Sequence, residues 1–443
     1  MKKTMKMEIV NPNAAGIDIG SRSHYVAIGQ GADDIKEFGI THSEHLKLIS
    51  FLQEASVTTL AMESTGSYWQ SLYFVLIENK FDVRLIAGSA IKNFKKTDVK
   101  DAQSIQKLHT LGLLNNCFLP ENNQAIFKEL SRHRKNLIQD ISKVTLRMQK
   151  CLRMMNFRLD IAVNDIVGKS GLAIIKAILT QQYNPQELAK LADSRVKKSE
   201  QEIMDSLYGN PRVELMFELA QNFETFEFYQ NQLINLDSKI EQLFNQMQFD
   251  YEITEEVKLT KKQIKGKNQI RVPIQQISYK ALGVDLMAIP CVSVNTLYTF
   301  LSEVGLDIDK FPSSKHFCSW LRLSPNNRIT GGKVQSSRTP KGKNPLALAL
   351  RDAANVIGNQ KDGLLVHFFK RIGLRKGRGA AITATARKLA TIIYKMVKER
   401  VQYNAEVPAY IKEKIINKKI KNATEFLKKI GLNIVDNQGI IIS

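Results

Sequence analysis

Four acids near the start of the chain have the types and spacing to hold a divalent cation. Asp18 interrupts the apolar run AAGIDIG, Glu63 closes LAMES, and Asp98 and Asp101 stand three apart in KKTDVKDAQS. A carboxylate inside an apolar strand is costly unless it is paired or bound to a cation. Helical residues at i and i+3 project to one face, so Asp98 and Asp101 can act together. Two carboxylates about 4 Å apart repel by on the order of 4 kcal/mol at an effective dielectric of about 20, so such a set gathers only around positive charge. Oxygen-only ligands favour Mg²⁺ or Mn²⁺ over zinc, and a pair of such ions can clamp the attacking and leaving oxygens of a phosphodiester. Taken singly, each acid has a plainer role: Asp98 and Asp101 as helix N-terminal charges, Asp18 as a turn residue. The set as a whole points to phosphodiester chemistry.

The elements that must position these acids alternate from Ala14 to Leu108. GIDIG and HYVAIGQ read as short strands joined by SRS, and DIKEFGI follows the turn GADD, a three-strand meander. Ser43 is the expected N-cap of a helix over EHLKLISFLQEA, with Leu46, Ile49 and Leu52 on its apolar face. Strand TTLAMES, helix SYWQSLYFVLIENK, strand FDVRLIAG and a helix around DAQSIQKLHTLG complete the set. The order βββαβαβα is that of an α/β ribonuclease-H-like domain, and Glu63 falls at the carboxyl end of a strand, where α/β sheets place ligands.

The rest of the chain reads as helical. Proline is absent between Pro120 and Pro185, and a second proline-free stretch follows Pro211. There Met216, Leu219, Phe223, Phe226, Leu233, Leu236, Ile240, Leu243 and Met247 recur at steps of three and four, with a longer gap after Phe226. This is coiled-coil spacing, and it serves a helix packed within the chain as well as one that pairs with a second copy. A charged stretch with Lys258, Lys261, Lys262, Lys265, Lys267 and Arg271 reads as a linker or a phosphate-contacting loop. The expected organisation is an α/β domain over 10–118, an all-α coiled-coil segment over 119–250, a basic linker over 251–280, a mainly α domain over 281–402 and a Lys-rich tail over 403–443.

The whole chain of 443 residues carries 64 Lys+Arg against 43 Asp+Glu, a formal net charge of +21. Such an excess calls for a polyanionic partner, nucleic acid before others. Cys117, Cys151, Cys291 and Cys318 form no CxxC pair and read as reduced thiols rather than zinc ligands. The N-terminus is basic without an apolar stretch behind it, and no run of 18 apolar residues occurs, so the expectation is a cytoplasmic protein beside nucleoid DNA, with no membrane partner. A GIDIGS-like hairpin also opens the actin-like sugar kinases and chaperone ATPases. Their later glycine-rich phosphate loops have no counterpart here, because the only glycine doublet, Gly331-Gly332, lies in a helical, basic context.

Taken together, GIDIGSRSHYVAIG, AMESTGSYW and KTDVKDAQSIQKL resemble the N-terminal Asp-Glu-Asp-Asp domain of the DEDD transposases of the IS110 group of insertion sequences. The stretch from IPCVSVNTLYTFL through RITGGKVQSSRTPKGKNPLALALRDAA is similar to that family's second domain. The resemblance implies a RuvC-like nuclease fold, a linking coiled coil and a C-terminal domain with a nucleophilic serine. It further implies donor and target DNA as substrates and a structured bridge RNA as guide; bringing both centres to one phosphate calls for several subunits, a dimer or tetramer, with the coiled-coil segment as the candidate for pairing. Two departures stand out. Where the family has SGGK this chain has RITGGK, which puts Thr330 in the serine's place, with Ser336 and Ser337 as nearby rivals. Thr330 keeps the hydroxyl, but its β-branch restricts χ1 and hinders attack. Where the family has an IPGIG-type hairpin this chain has IPCVS, without the glycines that allow close approach to phosphate.

By this resemblance the four acids hold Mg²⁺ at the scissile phosphate while Thr330 attacks it. A water-activating resolvase-like nuclease and a catalytically silent nucleic-acid binder are the alternatives. Lys333, Arg338 and Lys341 beside the Gly-Gly turn, and Arg371, Arg375, Lys376 and Arg378 around the turn RKGR, are candidate phosphate contacts.

Overall fold

The computed structural model describes residues 8–64, 66–86, 97–114, 122–254, 257, 259–260, 268–342, 344–404, 416–417, 420–421 and 423–427. The basic-stretch lysines 258, 261, 262, 265 and 267, Cys117 and most of the tail 403–443 lie outside the described residues. The chain divides into two compact units, residues 1–121 and 122–443.

The first unit runs β1 (Ala14–Ile19), β2 (Ser23–Ala27), β3 (Ile35–Gly39), α1 (His42–Glu54), β4 (Thr59–Glu63), α2 (Trp69–Glu78), β5 (Asp82–Ile86) and α3 (Asp98–Thr110). The sheet order is β3-β2-β1-β4-β5, with β2 antiparallel to both its neighbours and β1, β4 and β5 parallel. Alternation along the strands divides the apolar residues between two faces. Ala15, Ile17, Ile19, Leu60 and Met62 join Leu48 and Leu52 of α1 and Leu72 and Leu76 of α2 in one core. On the other face Ala61 and Ile86 pack with Ile105 of α3.

The expected strand and helix order is present, with two local corrections. Thr41, not Ser43, caps α1, its side chain accepting from the Glu44 N–H. The helix buries His45, Leu48, Ile49 and Leu52, while Leu46 is 47% exposed. At about 100° per residue the buried stripe is centred between His45 and Leu52, and Leu46 lies about 110° round the helix from that centre, outside the stripe. Buried His24 of β2 stacks on His45 with ring centroids 5.5 Å apart. Burial holds the His24 imidazole down at about 4, so the pair packs in its neutral form.

The second unit is helical among its described residues, with one small ribbon. It runs α4 (Asn122–Met154), α5 (Leu159–Ala162), α6 (Lys169–Leu179), α7 (Pro185–Lys190), α8 (Glu200–Ser206), α9 (Val213–Asn245), α10 (Ile274–Leu282), α11 (Val294–Glu303), α12 (Ser314–Trp320), β6 (Arg328–Thr330), β7 (Lys333–Ser336), α13 (Pro345–Gly358), α14 (Leu364–Lys376) and α15 (Arg378–Glu399). The two 33-residue helices α4 and α9 lie antiparallel. Phe127 meets Phe244 at 4.7 Å between centroids, Arg134 Nε donates to Asp237 Oδ1 at 2.6 Å, and Cys151 interacts with Glu218. Leu219, Phe223, Phe226, Leu233, Leu236 and Ile240 of the periodic stripe are buried in this unit's own core, with Met216, Leu243 and Met247 packed at its margin.

The segment expected to be a linker ends inside that core. Ile270, Val272, Ile274 and Ile277 are buried, and α10 begins before residue 280. Apolar residues at 270, 272, 274 and 277 are the signal that a reading by charge passed over. In the IPCVS turn Cys291 takes φ 62°, the left-handed conformation that favours glycine, and Ser293 then caps α11. The turn thus places a cysteine rather than a glycine in the left-handed conformation. Cys151 and Cys318 are buried thiols, and the partly exposed Cys291 Sγ accepts from the Gln360 amide at 3.1 Å. Among the described residues, no helix is long and apolar enough to cross a membrane.

Candidate active site

Asp18 and Glu63 come together through strand register. The parallel pairing of β1 and β4 aligns Ile17 with Met62, so the next residue along each strand, Asp18 and Glu63, lies side by side at the carboxyl end of the sheet. Both belong to the face opposite the Ile17–Met62 core, the face that α3 covers.

Helix α3 reaches this face because β1 carries glycine there. A Cβ on Gly16 would stand 2.2 Å from the Gln106 nitrogen and 2.5 Å from the Ala102 carbonyl, so any side chain would push the helix away. Polar contacts fix the helix at that distance. The Gln106 amide donates to Ala14 O at 3.2 Å, and the Gln30 amide donates to Gln106 Oε1 at 2.6 Å. Asn11 Nδ2 donates to the His109 carbonyl at 2.7 Å, and the His109 ring meets Thr59 Oγ1 at 3.0 Å. At the amino end Thr97 caps α3 by accepting from the Lys100 N–H, and Asp98 and Asp101 occupy the first turn.

The electrostatics of Asp18 record the convergence. Its carboxyl is pushed up from 3.8 to about 6, first by burial and then by the negative charges of Glu63, Asp101 and Asp98 in that order, against a lowering backbone N–H from Ile19. These are the three acids that the sequence grouped with it. Among the described residues no three His, Cys, Asp or Glu side chains stand close enough to enclose an ion. The carboxylates therefore share a neighbourhood through their charges. Their oxygen-only donor set suits Mg²⁺ or Mn²⁺.

Sequence reasoning singled out neither Gly16 nor Gln106, which set where the acids of α3 stand relative to Asp18. Gly16 was visible as a glycine inside a strand, a sign of close backbone approach. Gln106 gave no such sign, because the backbone carbonyls its amide meets, Ala14 O and Ile28 O, lie far from it in the chain.

The remaining candidates lie in the second unit. Thr330 ends β6, exposed, and Gly331 and Gly332 follow with φ 56° and 73°. Ser336 ends β7 half-buried and Ser337 follows, exposed. Lys333, Arg338 and Lys341 are exposed around them, and Arg322 donates to the Lys341 carbonyl at the base of the ribbon. Arg371, Arg375 and Lys376 lie on the last turns of α14. Arg378 opens α15 and is partnered within the chain: it donates to Asn355 Oδ1 at 2.6 Å and Asn359 Oδ1 at 2.7 Å and lies over the Phe369 ring.

A strand-edge carboxylate group and a basic helical unit define a class, and comparison with known families places the chain in it. Residues 15–157 match a DEDD transposase family of the IS110 type, described as "Transposase", and residues 285–364 match the "Transposase IS116/IS110/IS902 family". The chain belongs to the IS110 family of transposases. The first match holds all four acids, and the second holds Thr330 and the ribbon. Among individual relatives, the chain is 25% identical over 125 residues to the insertion element IS110 uncharacterized 43.6 kDa protein of Streptomyces coelicolor, a match covering 28% of this chain and 31% of that protein. The shared part thus spans about a third of the curated relative.

Proposed function

We propose that the protein cuts and rejoins DNA strands of an insertion sequence, with a ribonuclease-H-like, RuvC-like first domain supplying the metal site. The observation that carries this reading is Asp18, whose carboxyl is raised to about 6 partly by the charges of Glu63, Asp101 and Asp98. The sheet order β3-β2-β1-β4-β5, with helices after β3, β4 and β5, supports the fold assignment. Asp18, Glu63, Asp98 and Asp101 would hold Mg²⁺ or Mn²⁺, and a cation bound there would draw negative charge from a scissile phosphate. Thr330, at the tip of an exposed ribbon, supplies the attacking hydroxyl, with Ser336 and Ser337 as rivals. Attack on phosphorus forms a protein–DNA phosphoester and releases a 3′ hydroxyl. Rejoining reverses the exchange with a new 3′ hydroxyl, so phosphoester bonds are conserved and no nucleotide is consumed.

The acids and the hydroxyls belong to different units, so catalysis requires the two to meet, within one chain or between copies in a dimer or tetramer. Lys333, Arg338, Lys341, Arg371, Arg375 and Lys376 contact phosphate, and Arg378 braces the turn between α14 and α15. A bridge RNA as guide, which the family resemblance implies, would suit a chain of net charge +21.

The test is covalent trapping of labelled DNA by the full chain with Mg²⁺ and RNA transcribed from the gene's flanks. A denaturation-resistant adduct that is lost in Thr330→Ala, and kept when Ser336 and Ser337 are changed, establishes the nucleophile. Nicked DNA without an adduct, abolished by Asp18→Asn, assigns a water-using nuclease instead. DNA binding with neither product defeats the enzymatic reading.

A further inference from the structure

The β6–β7 ribbon has no folding reason to keep the shape it has. No residue of either strand is buried, and its apolar cross-strand pair, Ile329 and Val334, is 60% and 58% exposed. A two-stranded ribbon that buries nothing is marginal in water. Local geometry nevertheless holds this one ready. Gly331 and Gly332 both take positive φ, the two-residue turn whose twist suits a hairpin, and a Cβ at either would meet nothing. The Asn326 N–H closes the base on the Arg338 carbonyl at 3.0 Å.

The surroundings name the kind of partner. From Lys310 to Arg351 the chain contains no Asp or Glu, while Lys315, Arg322, Arg328, Lys333, Arg338 and Lys341 fall within that stretch. Paired residues share a face, so Ile329 and Val334 form one apolar patch while Thr330 and Lys333 share the other face. A basic arm bearing an apolar patch fits a polyanion with apolar groups on its floor. The major groove of B-form DNA meets both conditions: it admits a two-stranded ribbon and displays thymine methyl groups. The deep, narrow major groove of an A-form duplex excludes such a ribbon.

We propose that this ribbon enters the DNA major groove with Ile329 and Val334 packed on thymine methyls, which gives the protein its own preference for thymine in duplex outside any RNA-paired segment. The proposal rests on the reading of DNA as substrate. Its test uses binding alone, in chelator, so that a failure of the cutting chemistry leaves it intact.

Fluorescence anisotropy of the full chain would compare an alternating A·T duplex with the same duplex carrying uracil in place of thymine. Native protein should bind the thymine duplex several-fold more tightly. The double variant Ile329→Ser, Val334→Ser should bind both duplexes equally, with unchanged melting temperature because both side chains are exposed, and with unchanged salt dependence. Lys333→Ala should keep the thymine preference and reduce the salt slope by about 1. Equal binding of the two duplexes by the native protein overturns the proposal. So does a preference that survives in the double variant.

Discussion

At the residue scale, Asp18 makes a measurable demand. A carboxyl raised from 3.8 to about 6 in the native state favours folding below pH 3.8 and loses that contribution as pH rises through 6. At neutral pH without metal, the ionised Asp18 is therefore less favourable to folding than its protonated form by about 3 kcal/mol before solvent screening is counted. Asp18→Asn should raise the melting temperature at pH 7.5 in chelator and abolish cleavage, and its advantage should vanish near pH 4. Added Mg²⁺ should raise the melting temperature of the native protein more than that of the variant. A metal-free variant that melts below the native protein at pH 7.5 contradicts the repulsion argument. The four acids were legible because carboxylates are conspicuous in apolar strands and at helix starts. Thr330 was reached through a family pattern alone; nothing in its own type or neighbours distinguishes it from any threonine before a turn.

At the element scale, the strands and helices of the first unit were legible because each carries its own period, and Glu63 could be placed at a strand's end before any coordinates. What the sequence left hidden was how closely α3 approaches β1. That distance depends on a missing side chain at Gly16 and on the buried Gln106 amide, neither of which has a period. Gly16→Ala tests the point. Its methyl would stand 2.2 Å from the Gln106 nitrogen, and backbone cannot yield as a flexible side chain does. Overpacking of this kind typically costs about 1–3 kcal/mol. The expected variant remains folded, with a lower melting temperature, DNA affinity close to native, and cleavage reduced far more than affinity, because α3 carries two acids away from Asp18. Equal losses of binding and cleavage would mean that α3 supports the unit without aligning its chemistry. The α9 stripe teaches the converse lesson. Its spacing was read correctly as apolar and helical, but periodicity carries no address, and only the structure shows α4 of the same chain as the antiparallel partner.

At the scale of the whole molecule, the charge of +21 sets how strongly the protein meets nucleic acid, yet its basic residues are not equivalent. Arg371, Arg375, Lys376 and Arg378 look alike in sequence, a cluster around one glycine. The structure separates them: Arg378 is committed to Asn355 and Asn359, whereas Arg375 and Lys376 project from the last turn of α14, whose Leu374 is 90% exposed. Each phosphate neutralised on duplex DNA contributes a slope of about −0.9 in log affinity against log salt, because a condensed counterion is released. Arg375→Ala and Lys376→Ala should each flatten the slope by about 1 and leave the melting temperature unchanged. Arg378→Ala should act differently. It strips two side-chain amides of their donor and a ring of its cation, so it should lower the melting temperature while changing the salt slope less than either neighbour does. If all three variants flatten the slope equally with no effect on melting, Arg378 is a phosphate contact like the others and its contacts to Asn355 and Asn359 give way to DNA.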